Sequence, residues 1–180
     1  SQPMRLISRS GDECGIEDSA APIHDAQGRL SGVVLVFHDV TEQRRLDREM
    51  RWRASHDLLT GLLNRGEFDR RLQQVLQRSR EEGTRHALLY LDLDQFKLIN
   101  DACGHPTGDR LLLQIGQLLG DCVRPGDTLA RLGGDEFGVL LERCGVHQAQ
   151  RVAQLICERM EEFRFVHDGR RFRVGASIGL

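Results

Sequence analysis

The sequence predicts an α+β fold: a central, mostly antiparallel sheet flanked by helices, preceded by a β-hairpin and a connector helix. Three observations carry that reading. From residue 86 onward, short apolar runs and helical periodicities follow one another in the order βαββαββ, which argues for a mixed sheet with helices packed on it. Arg131-Leu132-Gly133-Gly134-Asp135-Glu136-Phe137-Gly138-Val139-Leu140-Leu141 reads as strand, tight turn, strand, so pairing there is antiparallel. Residues 16–39 hold a second hairpin pattern, apart from the rest of the chain.

The elements follow in order. Ile16 to Ile23 is a predicted strand, His24 to Gly28 a turn, and Arg29 to Asp39 a second strand centred on Val33-Val34-Leu35-Val36-Phe37. A lone hairpin is marginal in water, so these strands belong to a larger sheet or pack on a partner. Thr41 to about His56 is a helix, with Thr41 as its expected N-cap and Glu42 in its first turn. Leu46, Met50 and Ala54 form a narrow apolar stripe on it. Such a stripe suits pairing with a second copy, and a solvated spacer helix fits equally. Asn64 and Glu67 resemble a capping box. Phe68, Leu72, Val75, Leu76 and Ser79 mark the inner face of a helix to about Glu82, ended by Gly83.

His86 to Leu93 is expected as a strand covered on both faces, because Leu88 to Leu91 is continuously apolar. The period of two puts Asp92 and Asp94 on one side, opposite Leu91 and Leu93. Phe96 to Ile99 starts a helix that breaks around Asp101 to Gly104. Gly104 to Asp109 reads as loop, and a long helix runs to about Val123 with Leu112, Ile115 and Leu119 inward. After the Arg124 to Asp127 turn, Thr128 to Leu132 is a strand. Ala149 to Phe163 is a helix with Val152, Leu155, Ile156 and Met160 inward. Asp168-Gly169 is a hairpin turn, and Phe172 to Leu180 a final strand.

Composition narrows the function classes. The chain has 180 residues, enough for one domain or one and a part. Hydrophobic residues at 39% and charged residues at 29% suit a globular protein. A net charge of −2 gives no bulk drive toward nucleic acid or an anionic membrane surface. Cys14, Cys103, Cys122, Cys144 and Cys157 are scattered without C-x-x-C spacing, which indicates neither a disulfide framework nor zinc. Neither a signal peptide nor a bilayer-length apolar run is present, so this segment is expected to touch no membrane. The expected setting is the cytoplasm, as a free protein or as the cytoplasmic part of a membrane-anchored parent.

The doubled acid at Asp135-Glu136 is the chemical signal. Acids at the rim of an apolar core are costly unless a cation meets them, and oxygen-only ligands favour magnesium, calcium or manganese. Spacing alone fits an ordinary hairpin with solvated acids equally well.

Two family resemblances add to this. Glu17-Asp18-Ser19-Ala20-Ala21-Pro22-Ile23, Gly32 to Phe37, and Asp39-Val40-Thr41-Glu42 resemble the C-terminal end of a PAS sensor domain. Gly133-Gly134-Asp135-Glu136-Phe137 is, letter for letter, the signature of GGDEF diguanylate cyclases. Asp57-x-Leu59-Thr60-Gly61-Leu62-x-Asn64-Arg65 resembles that family's opening motif. Asp92-Leu93-Asp94-x-Phe96-Lys97-x-Ile99-Asn100-Asp101 and Gly104-His105-x-x-Gly108-Asp109 resemble its nucleotide segment. This second resemblance covers residues 52–180. It implies a nucleotidyl-cyclase palm that condenses two GTP into cyclic di-GMP and two pyrophosphates, with Mg2+ or Mn2+, at a homodimer interface. It further implies that Asp92, Asp135, Glu136 and the Leu93 carbonyl hold metal. Asp135 or Glu136 then assists deprotonation, and Gly133 and Gly134 admit phosphate. By the same resemblance the Gln95 and Phe96 amides and Lys97 meet phosphate, while Asn100 and Asp109 read guanine with His105 nearby. Arg124 and Asp127 match the family's inhibitory product site.

The resemblance divides the chain into a PAS end at 1–40, a helical connector at 41–56 and a GGDEF domain at 57–180. The family's next helix, with its phosphate-binding Lys and Arg, lies beyond Leu180, so the expected domain is C-terminally truncated. The alternative function is a catalytically silent GTP-binding or cyclic-di-GMP-sensing module of a larger sensor or phosphodiesterase protein.

Overall fold

The computed structural model describes residues 4–11 and 13–180. They fall into two compact units, Ser1–Trp52 and Arg53–Leu180.

The first unit holds β1 (Met4–Ile7), β2 (Glu13–His24) and β3 (Leu30–Asp39) in an antiparallel sheet of order β1-β2-β3. The expected hairpin is therefore two strands of three. The Asp25 carboxylate sets the turn by accepting from the Gln27 and Arg29 amides at 2.9 and 2.8 Å, and Gly28 takes a left-handed φ of 77°. Helix α1 (Thr41–Ser55) follows. Its capping oxygen comes from Asp39, which accepts from the Thr41 amide at 2.9 Å, and not from Thr41. The Thr41 hydroxyl instead accepts from the Gly15 amide at 2.8 Å. No residue of α1 is buried, and Met50 of the expected stripe is 66% exposed.

The second unit takes in the last residues of α1, Arg53 to Ser55, and then a loop that leads into α2 (Arg65–Glu82). Asn64 caps α2 by accepting from the Glu67 amide at 2.9 Å, and Gly83 ends it in the left-handed region. The capping box is half formed, because the Glu67 carboxylate turns to Arg70 and Arg71. Phe68 and Val75 are buried, whereas Leu76 points outward.

Then come β4 (Ala87–Leu93), α3 (Phe96–Cys103), α4 (His105–Cys122), β5 (Thr128–Gly133), β6 (Glu136–Leu141), α5 (Val146–Glu162), β7 (Phe165–His167), β8 (Arg170–Phe172) and β9 (Ala176–Gly179). The main sheet has the order β5-β6-β4-β9, antiparallel throughout, and β7-β8 is a separate hairpin. Leu89, Leu91 and Leu93 pack with Phe137 and Val139 into the core shared with α3, α4 and α5. Phe68 and Val75 of α2 pack with Ala130, Leu132 and Leu140 in a smaller cluster.

Four sequence expectations change. The β4 strand is not covered on both faces along its length: Tyr90 is 41% exposed, because the smaller cluster reaches only as far as Leu88. Gly104 to Asp109 is not a loop. Pro106 suits a first helical turn, so α4 starts at His105 directly after Gly104. Helix α5 starts at Val146, and its Leu155 is exposed. Phe172 to Leu180 is two strands, one in the hairpin and one in the main sheet, separated at residues 173–175.

Candidate active site

The signature turn joins β5 to β6. Gly133 and Gly134 have φ of 146° and 52°, values that favour glycine. A Cβ at either would meet nothing within 4 Å, so backbone handedness demands glycine here and the space before the turn is open. The end of β4 is tied to the turn by the Leu93 amide, which donates to the Asp135 carbonyl at 3.3 Å. Asp92 stands opposite Glu136 in the β4–β6 register. Partial desolvation, and then the negative charges of Asp135, Glu136 and Asp94, push the Asp92 carboxyl above the ordinary range. Asp94 is committed elsewhere: it accepts from the Ser177 hydroxyl at 2.8 Å.

Among the described residues, no three His, Cys, Asp or Glu side chains already converge on one metal-binding point. The donor chemistry nonetheless fits a hard divalent cation, because three crowded carboxylates and backbone carbonyls offer oxygen alone.

Three residues to which the sequence reading gave no role shape the turn. The Arg131 Nη1 meets both Asp57 carboxylate oxygens at 3.1 and 3.2 Å, and its Nε and Nη2 donate to the Gly134 carbonyl at 3.0 and 2.8 Å. Burial opposes the Asp57 charge, but bonds from Thr60 and Arg131 outweigh it and hold that carboxyl below its usual range. Arg65 donates to the Leu132 carbonyl and to Glu136, each at 2.9 Å. The signal was a basic or acidic residue at a fixed place in the opening motif and beside the signature. Which of them meet is a matter of tertiary structure.

The nucleotide segment lies on α3 and α4. Gln95 precedes α3 with φ 62°, and no side chain caps that helix start, so its amides face a place suited to an anion. Phe96 is buried and Lys97 exposed. Asn100 Oδ1 is buried without a hydrogen-bond partner. It sits against Gly108, where a Cβ would lie 1.9 Å from it. Gly108 immediately precedes Asp109, which is exposed on α4, as is His105. Asn100 and the Gly108–Asp109 stretch of α4 are thus brought together.

Arg124 and Asp127 form a separate turn. Arg124 Nε lies 3.3 Å from the Asp127 carboxylate, whose side chain is 3% exposed. Asp127 also accepts from the Glu142 amide at 3.3 Å, and Arg124 donates to the Glu142 carbonyl at 2.5 Å. A cavity of about 90 Å³ lies beneath, lined by Cys122, Leu141 and Cys144 among others. It is too small for a nucleotide, so a ligand of this pair would have to sit outside it.

An antiparallel sheet flanked by helices, with a G-G-D-E-F turn facing an aspartate at the end of the neighbouring strand, defines the class of GGDEF nucleotide-cyclase domains. Residues 54–180 match the model described as "Diguanylate cyclase, GGDEF domain", and residues 2–45 match the PAS fold. The chain belongs to the GGDEF diguanylate cyclase family, with a PAS fragment at its N-terminal end. It is 43% identical over 179 residues, 99% of its length, to the probable diguanylate cyclase DgcE of Escherichia coli, of which it covers 16%. It is 38% identical over 167 residues, 92% of its length, to the cyclic di-GMP phosphodiesterase PdeB of Shewanella oneidensis, of which it covers 19%. The crystal structure of the coiled coil and GGDEF domain of DgcB from Caulobacter crescentus, in complex with c-di-GMP, superposes with a TM-score of 0.73. Identity there is 28%, over 78% of this chain and 75% of that one. No helix among the described residues is long and apolar enough to cross a membrane.

Proposed function

We propose that this chain is the GTP-condensing part of a diguanylate cyclase, which joins two GTP into cyclic di-GMP with release of two pyrophosphates. The observation that carries the reading is the meeting of Asp92 on β4 with Asp135 and Glu136 of the turn, fixed by the bond from the Leu93 amide to the Asp135 carbonyl. Each new phosphodiester needs the 3′-hydroxyl of one GTP to attack the α-phosphorus of the other as pyrophosphate leaves. Positioning and charge neutralisation dominate such chemistry. Mg2+ or Mn2+, held by Asp92, Asp135, Glu136 and the Leu93 carbonyl, would supply the charge neutralisation.

The protein groups do the rest. Asp135 or Glu136 takes the hydroxyl proton. Gly133 and Gly134 leave room for phosphate, and the Gln95 and Phe96 amides with Lys97 bind it. Asn100 and Asp109 read the guanine edge, helped by His105: a carboxylate accepts from N1–H and the exocyclic amine, and an amide pairs with the carbonyl and ring nitrogens. Each protomer supplies one GTP, so the reaction belongs to a homodimer. Arg124 and Asp127 form a product-inhibition site for cyclic di-GMP. The functional boundaries proposed with this reading are 1–40, 41–56 and 57–180, in the cytoplasm.

A second reading is a silent GTP-binding or cyclic-di-GMP-sensing module, favoured by the similarity to a phosphodiesterase. One experiment separates the two. The parent-length protein is incubated with GTP and Mg2+, and cyclic di-GMP is measured for wild type and Asp135→Ala. Synthesis by wild type and its loss in the variant are expected. Synthesis retained in Asp135→Ala refutes the acid assignment, and no synthesis by wild type selects the second reading.

A further inference from the structure

Arg65 joins two parts of the signature turn. Its Nε donates to the Leu132 carbonyl and its Nη2 to Glu136 Oε2, both at 2.9 Å. Leu132 lies in the register shift between Arg131 and Gly133, which frees its carbonyl for a side-chain donor. Arg65 is the first residue of α2. The Asn64 cap before it is itself anchored, its amide to the Ser55 carbonyl at 3.0 Å and its side chain to the Ala54 carbonyl at 2.9 Å. A fixed helix start therefore aims the guanidinium. Arg131 does not do the same work, since its donors go to Asp57 and the Gly134 carbonyl.

Glu136 is thus already paired with a cation while it stands opposite Asp92. A divalent ion at this cluster competes with Arg65 for the same oxygen and meets its positive charge. The pair is about half exposed, with side chains at 53% and 43%, so it is weak enough to open. We propose that Arg65 is a resident counter-ion that yields Glu136 when a divalent cation binds, and so sets how tightly the cation is held. The inference rests on the reading of Asp92, Asp135 and Glu136 as the cation site.

The test is calorimetric titration of the 180-residue chain with Mg2+ alone, without nucleotide. Arg65→Gln is expected to bind Mg2+ roughly two- to fivefold more tightly, as for loss of one exposed competing ion pair. The gain should vanish in a Glu136→Gln background, and Arg65→Lys, which keeps the charge, should stay near wild type. Unchanged or weaker binding by Arg65→Gln overturns the proposal, and so does an equal gain in the Glu136→Gln background. A readout independent of the variant's folding is the wild-type Arg65 side-chain NMR signal, assigned by its absence in Arg65→Lys. It should shift on Mg2+ saturation, and a signal that stays put overturns the proposal. Asp135→Asn tells the two levels apart. Wild-type Mg2+ binding in Asp135→Asn, or none in wild type, refutes the cation site itself. Binding lost in Asp135→Asn but indifferent to Arg65→Gln refutes the role of Arg65 alone.

Discussion

A single missing methyl group frames Asn100, the residue proposed to read the base. Asn100 Oδ1 lies buried against Gly108 with no partner, and an added Cβ would stand 1.9 Å from it, 2.9 Å from Asn100 Cγ and 3.2 Å from Phe96 Cζ. Burying a polar atom without a hydrogen bond is unfavourable, and such an atom usually has a ligand or function to answer for it. Gly108 is inside α4, where alanine is a better helix former than glycine. The closest atom is also the far end of a side chain that can swing away. Gly108→Ala should therefore cost the fold little, within about 1 kcal/mol either way, while expelling Asn100 from its place. The expected result is a GTP KM raised by roughly tenfold to a hundredfold in the parent-length enzyme, with a melting temperature close to wild type. A wild-type KM in that variant would mean that Asn100 does not read the base.

At the scale of elements, the start of α2 gives a pH-dependent test. Hydrogen bonds from Arg70, then Arg71, hold the Glu67 carboxyl down to about 2, against a usual value of 4.5. A depressed acid stabilises the folded state at pH values above its unfolded pKa, and that contribution fades as pH falls through the folded one. Wild type should therefore lose stability between pH 4.5 and about 2, and Glu67→Gln should show a flatter decline over the same window in urea unfolding. Parallel curves would show that the Arg70 and Arg71 bonds carry no net weight. The same helix shows what was legible beforehand. Asn64 and Gly83 bound α2 as read, because caps are local chemistry. The direction of the Glu67 carboxylate was not legible, since two arginines one turn on outbid the cap. Likewise the G-G-D-E-F turn is readable from its glycines, whereas the helical start within Gly104 to Asp109 is not, because Gly and Pro punctuate loops and begin helices alike. The links from Asp57 to Arg131 and from Arg65 to Glu136 span about seventy residues of sequence. No periodicity reports such a distance.

At the scale of the whole molecule, one chain carries one acid cluster and one set of proposed base-reading residues, whereas the proposed product contains two guanines joined by two phosphodiesters. The proposed reaction requires two chains to meet, so the rate per protomer is expected to rise with concentration until dimers saturate. Helix α1 carries a surface suited to that meeting: Leu46 and Met50 lie four residues apart, both are exposed, and no residue of the helix is buried among the described residues. Apolar side chains at that spacing lose their exposed area when a second helix covers them, at about 25 cal/mol per Å². Leu46→Glu with Met50→Glu replaces that gain with facing like charges. In the parent-length protein the variant should dimerise at least about tenfold more weakly, equivalent to about 1.4 kcal/mol, by sedimentation velocity. Its synthesis of cyclic di-GMP per protomer should fall at low concentration and recover at high concentration, because the acids and the proposed base-reading residues are untouched. A dimerisation constant equal to wild type would remove α1 from the interface. A rate that stays low at every concentration would place Leu46 and Met50 in some role other than association.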